Sequence, residues 1–141
     1  SVFVPKGAIV TTAGRTRGRH TYHAQGGAIA ARVAVVVLVN HSTASAAEIV
    51  AGALQDGQRA RVVGTPTFGK GVFQEVEPLP NGGALDITVG EYFTPKGRNL
   101  GGGGVRQGAG IKPDITVAGR PNGKRDVQLD AALRALAPSL R

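Results

Sequence analysis

Apolar and polar residues change rhythm along this chain, and the rhythm predicts its elements. The longest apolar stretch, RVAVVVLVN at 32–40, is nearly unbroken and rich in valine. Such a run fits a strand buried on both faces, as in a parallel sheet covered by helices. The small polar segment HSTAS comes next. From Ala46 the period becomes helical, with Ala46, Ile49, Val50, Ala53 and Leu54 on one stripe over 46–55. Asp56-Gly57 ends that helix. RARVVG at 59–64 is another strand, and 72–79 and 84–93 are strands around the turn Pro80-Asn81-Gly82-Gly83, a strong hairpin signal. Upstream, 8–13 and 20–24 are two short strands joined by GRTRGR. Downstream, 94–110 is a glycine-rich loop, and Pro113 marks the short strand at 111–117 as an edge. A polar linker then leads to a helix starting near Asp126, with a stripe of Leu129, Leu133, Leu136 and Leu140. No internal repeat is visible, so the expectation is one mixed α/β domain.

Composition narrows the picture. The apolar fraction is 41% but aromatic residues are only 4%, so the core must be aliphatic. The 22 glycines imply many turns. The absence of cysteine excludes disulfides, thiolate metal sites and a cysteine nucleophile. No run approaches the ~18 apolar residues of a membrane span, and SVFVPKG lacks the pattern of a signal peptide, so any targeting segment is expected upstream. The net charge of +8 raises the question of nucleic acid. The one dense basic stretch, Arg15, Arg17 and Arg19, has only Tyr22 nearby and no stacking platform. A solvated arginine-rich surface is the better reading.

Candidate chemistry gathers at two places. Ser45 lies where a buried strand gives way to a helix, whose first N–H groups have no internal partner and can be aimed at a developing oxyanion. Against this, Ser45-Ala46-Ala47-Glu48 matches the S-x-x-E capping box, and position alone favours the cap. Ser42 and Thr43 are alternative caps that would free Ser45. Lys70 closes Gly64-Thr-Pro-Thr-Phe-Gly69-Lys70, a P-loop spelling. Gly71 stands where that motif needs a hydroxyl, and the segment from Val72 alternates like a strand, both against a phosphate site. A surface lysine in a turn is the plain alternative, although glycines on both sides of Lys70 suit close approach of another segment. His20 and His23 fall on opposite faces of a strand and make a poor metal pair. His41, four residues before Ser45, is a rival base. Carboxylates are too dispersed for an acid pair.

The residues Val36-Val37-Leu38-Val39-Asn40 and Ser42 through Asp56 resemble the nucleophile segment of the carboxyl-terminal processing (tail-specific) serine peptidases. The likeness continues through Arg61-Val62-Val63-Gly64, Thr67-Phe68-Gly69-Lys70-Gly71, Gln74, Tyr92 through Arg98, and Gly110 through Ile115. It spans roughly 30–117, and several ordered motifs make it specific. The resemblance implies Ser45 as nucleophile, Lys70 as general base, Gln74 as the residue orienting that lysine, and the backbone N–H of Ala46 as an oxyanion donor. A lysine serves as base only when its amine is largely neutral, which burial favours. On a straight strand Lys70 and Gln74 lie roughly 13 Å apart, so the chain must bend or bulge at Gly71 for them to meet.

The same resemblance implies a crotonase-like α/β core of stacked strands and helices, truncated at its N-terminal side, with residues 1–141 as the C-terminal portion of one catalytic domain. The family's second oxyanion donor and any PDZ domain would lie upstream, leaving this chain alone with little activity. Peptide hydrolysis through an acyl-enzyme is implied, without cofactor or metal. The implied partners are proteins with accessible C-terminal tails, adding as a strand at a sheet edge, and no nucleic acid. Further expectations are an extracytoplasmic location, membrane proximity through an upstream segment, and self-association through open strand edges. Residues 101–107 look like an insertion in the family pattern. The rival function is a non-catalytic peptide-binding or scaffold remnant of the same fold.

Overall fold

A computed structural model describes residues 2–119 and 125–137. Its elements, in chain order, are β1 (Ala8–Ala13), β2 (His20–His23), β3 (Val36–Val39), α1 (Ala46–Asp56), β4 (Arg61–Gly64), β5 (Val72–Pro78), β6 (Ala84–Phe93), β7 (Ile115–Thr116) and α2 (Val127–Leu136). They form a four-stranded antiparallel sheet, order β2-β1-β6-β5, and a three-stranded parallel sheet, order β3-β4-β7. The expected α/β class holds. The β5–β6 hairpin turns where expected, with Gly82 at φ 82° and the Leu79 N–H closing on the Gly83 carbonyl at 2.9 Å. The strand expected over 111–117 is shorter: β7 is only Ile115–Thr116 at the edge of its sheet, and Pro113 lies before it in the connection, where it has no ladder bond to donate.

Strands β3 and β4, helix α1 and the β6–β7 connection share an aliphatic core of Val39, Ala51, Val62, Leu100 and Ile111, with Val37, Ile49 and Tyr92 against it. Three patterning expectations need correction. The run 32–40 supplies only four strand residues, and Leu38 is 44% exposed beside a buried Val39, so β3 is covered on one face and not on both. Helix α1 buries Glu48, Ala51, Gly52, Ala53 and Leu54, whereas Ala46 and Val50 from the expected stripe are exposed. The buried face is turned because Glu48 is fully hydrogen-bonded inside, and because Gly52 lets Thr94 and Ile111 come within 3.0 Å of where a Cβ would sit. In α2, Leu129 and Leu133 are exposed and Ala132 is the buried contact; Leu140 lies outside the described residues. Asp126 caps α2 through the N–H groups of Gln128 and Leu129, as expected for its start.

The C-terminus of α1 is fixed to the β6–β7 connection. Asp56 accepts from the Lys96 N–H at 2.9 Å and pairs with Arg98, and its side chain is only 3% exposed. Gly57 keeps an ordinary φ of −75°, and the left-handed residue that ends the helix is Gln58 at φ 52°.

Candidate active site

The turn from β3 into α1 is built by Asn40 and Thr43. Asn40 Oδ1 accepts the Ser42 N–H at 2.9 Å, and Thr43 Oγ1 accepts the Asn40 N–H at 3.1 Å. Ser42 and Thr43 therefore knit the loop and do not cap the helix. Ser45 stands at the N-cap position with φ 55° and ψ −120°, a backbone that non-glycine residues adopt only under strain. Ser45 and Glu48 occupy capping-box positions, but the two reciprocal contacts are unequal. Glu48 accepts the Ser45 N–H at 2.8 Å, whereas the Ser45 hydroxyl makes no capping hydrogen bond. The hydroxyl therefore faces the Glu48 N–H in the capping-box arrangement without closing a hydrogen bond of ordinary geometry on it. The Ala46 N–H, the first donor of the helix, has no backbone acceptor among the described residues.

Glu48 is fully buried and sequence reasoning assigned it only the cap. Its Oε1 accepts from Thr67 Oγ1 at 2.5 Å and the Gly69 N–H at 2.8 Å. Its Oε2 accepts from Ser45 N–H at 2.8 Å and Lys70 N–H at 2.9 Å. One carboxylate oxygen therefore brings the backbone nitrogens of Ser45 and Lys70 within about 6 Å of each other, the limit set by two hydrogen-bond lengths. The signal for this role was the same S-x-x-E spacing read as a cap. Thr67 completes the knot by accepting the Ile111 N–H at 2.6 Å. A further backbone bond, Phe68 N–H to the Thr43 carbonyl at 2.9 Å, holds the lysine loop against the serine loop.

Lys70 is half-buried, and no hydrogen bond joins its amine to the Ser45 hydroxyl in this structure. Gly71 leads directly into strand β5, so the P-loop spelling has no helix to hold phosphate. No hydrogen bond joins Gln74 to Lys70 among the described residues; the Gln74 amide donates to Thr88 Oγ1 at 3.2 Å on β6. The expected irregularity occurs between Phe73 and Gln74, where β6 carries the extra residue, and not at Gly71. His41 is exposed and makes no hydrogen bond to Ser45. His20 and His23 lie on β2, and no group of three or more metal-ligating side chains is found among the described residues. Arg17 pairs with Glu75 and Arg19 lies over the Phe93 ring, so part of the basic stretch is engaged with this chain itself.

Comparison with known proteins places these residues in context. Peptidase family S41 matches the chain over residues 1–117. A carboxy-terminal-processing protease of Bartonella bacilliformis is 45% identical over 116 residues, covering 82% of this chain and 25% of that protein. A carboxyl-terminal-processing protease of Synechocystis is 38% identical over 135 residues, covering 96% of this chain and 31% of that protein. Among solved structures, the photosystem II D1 C-terminal processing protease aligns with a TM-score of 0.73 at 35% identity, over 96% of this chain and 33% of that one. The chain spans about a quarter to a third of the length of these relatives. Among the described residues no helix is long and apolar enough to cross a membrane.

Proposed function

The chain belongs to peptidase family S41, and from that premise we propose that it carries the nucleophile and base of a serine peptidase acting on proteins near their C-termini. The observation that carries the reading is the shared Glu48 oxygen, which holds the backbone N–H groups of a strained serine and of the loop lysine on one acceptor. Ser45 Oγ attacks the scissile carbonyl while Lys70 Nζ, neutral when it acts, takes the hydroxyl proton. The Ala46 N–H meets the oxyanion. Collapse of the tetrahedral intermediate breaks the C–N bond, and Lys70 returns the proton to the leaving amine. Water then hydrolyses the acyl-Ser45 ester, with Lys70 again as base.

Gln74 orients the lysine only after its amide exchanges Thr88 Oγ1 for Nζ, a side-chain rotation on a half-buried strand position. The relatives are about three times as long as this chain, and we assign the second oxyanion donor to sequence beyond it. The chain alone then turns over little, since one missing donor typically lowers the rate by about 10²–10³. An extracytoplasmic site of action is part of the same proposal and rests on family resemblance. The test is hydrolysis of labelled β-casein by the protein as encoded. Ser45→Ala and Lys70→Ala should each abolish it with the fold intact. Retained hydrolysis in either variant overturns the assignment, and casein binding without hydrolysis by the unaltered protein would favour a peptide-binding remnant.

A further inference from the structure

The glycine-rich segment before Ile111 is anchored at both ends, because Leu100 and Ile111 are each only 1% exposed. Between these anchors it runs antiparallel to the lysine loop. The Gly71 N–H donates to the Gly104 carbonyl at 3.1 Å, Arg106 N–H to the Gly69 carbonyl at 3.0 Å, and Gly108 N–H to the Phe68 carbonyl at 2.8 Å. The approach is close enough to exclude side chains. A Cβ on Gly69 would lie 2.2 Å from the Arg106 oxygen, and one on Gly71 would lie 2.1 Å from the Gly101 nitrogen. The glycines flanking Lys70 are there because this strap passes over them.

The pairing also fixes what stands beside the lysine. Lys70 bridges Val105, and the bonds run between their neighbours on either side, which makes Lys70–Val105 a non-hydrogen-bonded antiparallel pair. In such a pair the Cα atoms are about 4.5 Å apart and the two side chains leave the same face at their closest spacing. Val105 is 56% exposed, so its isopropyl group borders the lysine without being consumed by the core. A lysine stem has four rotatable carbons and much rotamer entropy to lose. A β-branched, stiff neighbour at that distance removes some of those rotamers before the reaction begins.

We propose that Val105 is a positioning residue for the general base, presented by the strap to hold the Lys70 stem toward Ser45. This rests on Lys70 being the base. Val105→Ala should lower kcat for a labelled casein peptide by about tenfold, the scale of a modest misplacement, and slow fluorophosphonate labelling of Ser45 equally. KM and the preferred residues at the cleavage site should stay unchanged. Val105→Ile, β-branched as before, should restore both rates, and circular dichroism should show each variant folded. The inference is overturned if Val105→Ala leaves both rates intact, if KM or residue preference changes while kcat holds, or if Val105→Ile is as slow as Val105→Ala. Val105→Thr keeps the shape if alanine unfolds the strap, and wild-type rates there support the inference while alanine-like rates oppose it. Lys70→Ala measured in parallel separates the two ideas: an active Lys70→Ala removes the base itself, whereas an inactive one beside a normal Val105→Ala refutes only the role of Val105.

Discussion

Replacing Glu48 should damage stability and chemistry through the same atoms. The carboxylate is fully buried and accepts four hydrogen bonds, two on each oxygen. Stranding a buried donor costs about 1–3 kcal/mol. The Thr67 and Gly69 donors are buried, so water cannot replace their acceptor; those of Ser45 and Lys70 are partly exposed, which relieves part of the loss. Glu48→Ala strands all four and should cost about 4–6 kcal/mol, close to the whole stability of a marginal domain. Glu48→Gln is the informative variant. It keeps one oxygen for one pair of donors and turns an NH₂ group toward the other pair, for a loss of about 2–4 kcal/mol. If the oxygen stays with the buried pair, the Ser45 and Lys70 N–H groups lose their common acceptor. The two loops then drift, and fluorophosphonate labelling of Ser45 should slow by about 10²-fold at a temperature where the variant is folded. Urea unfolding followed by far-UV circular dichroism gives the stability, and labelling gives the chemistry. A Glu48→Gln protein within about 0.5 kcal/mol of the original, labelled at the original rate, would refute the hub.

Other contacts set three further outcomes. Ser45→Ala should cost less than about 0.5 kcal/mol, below the usual loss of a working cap, because the hydroxyl makes no capping bond; Ser45→Gly should raise the melting temperature by relieving φ 55° while remaining inactive. Gly110→Ala would set a Cβ 2.1 Å from both Glu48 Oε1 and Thr67 Oγ1 and should cost about 3 kcal/mol or more by urea unfolding, as overpacking in a rigid site does. Burial works to raise the Asp56 pKa, but bonds from Thr94 and the Lys96 N–H, with the Arg98 charge, outweigh it and hold the group below its ordinary 3.8. The stability this supplies is complete above that ordinary value and is lost as pH falls below it, through the depressed folded value. Asp56→Asn should flatten the stability profile in that acid window, as measured by urea midpoints across it.

Much of this fold was legible because local pattern and tertiary role agree. The hairpin glycines act through their own backbone and the Asp126 cap through a side chain that reaches only the next turn, so these local signals survive into the structure. Burial was less legible. Leu38, Val50 and Leu133 are apolar yet exposed, while Glu48 is charged yet buried, since only the partners of a position decide which face of an element is covered. At the site, Ser45 and Lys70 were found as separate signals, but the carboxylate joining them was read as a cap because its spacing serves both roles. The glycines beside Lys70 hinted at a close neighbour, and that neighbour, residues 104–108, could not be named from local pattern because the pairing spans more than thirty residues.

The most direct test of the Ser45–Lys70 chemistry is the rate of casein hydrolysis by Lys70→Arg in the protein as encoded, with folding checked by circular dichroism. Arginine keeps the positive charge and most of the stem, but its guanidinium cannot be deprotonated in a protein. A folded Lys70→Arg enzyme with no turnover above background is the predicted result. Hydrolysis within about tenfold of the unaltered rate, an activation difference of only about 1.4 kcal/mol, would contradict a lysine base and return His41 to consideration.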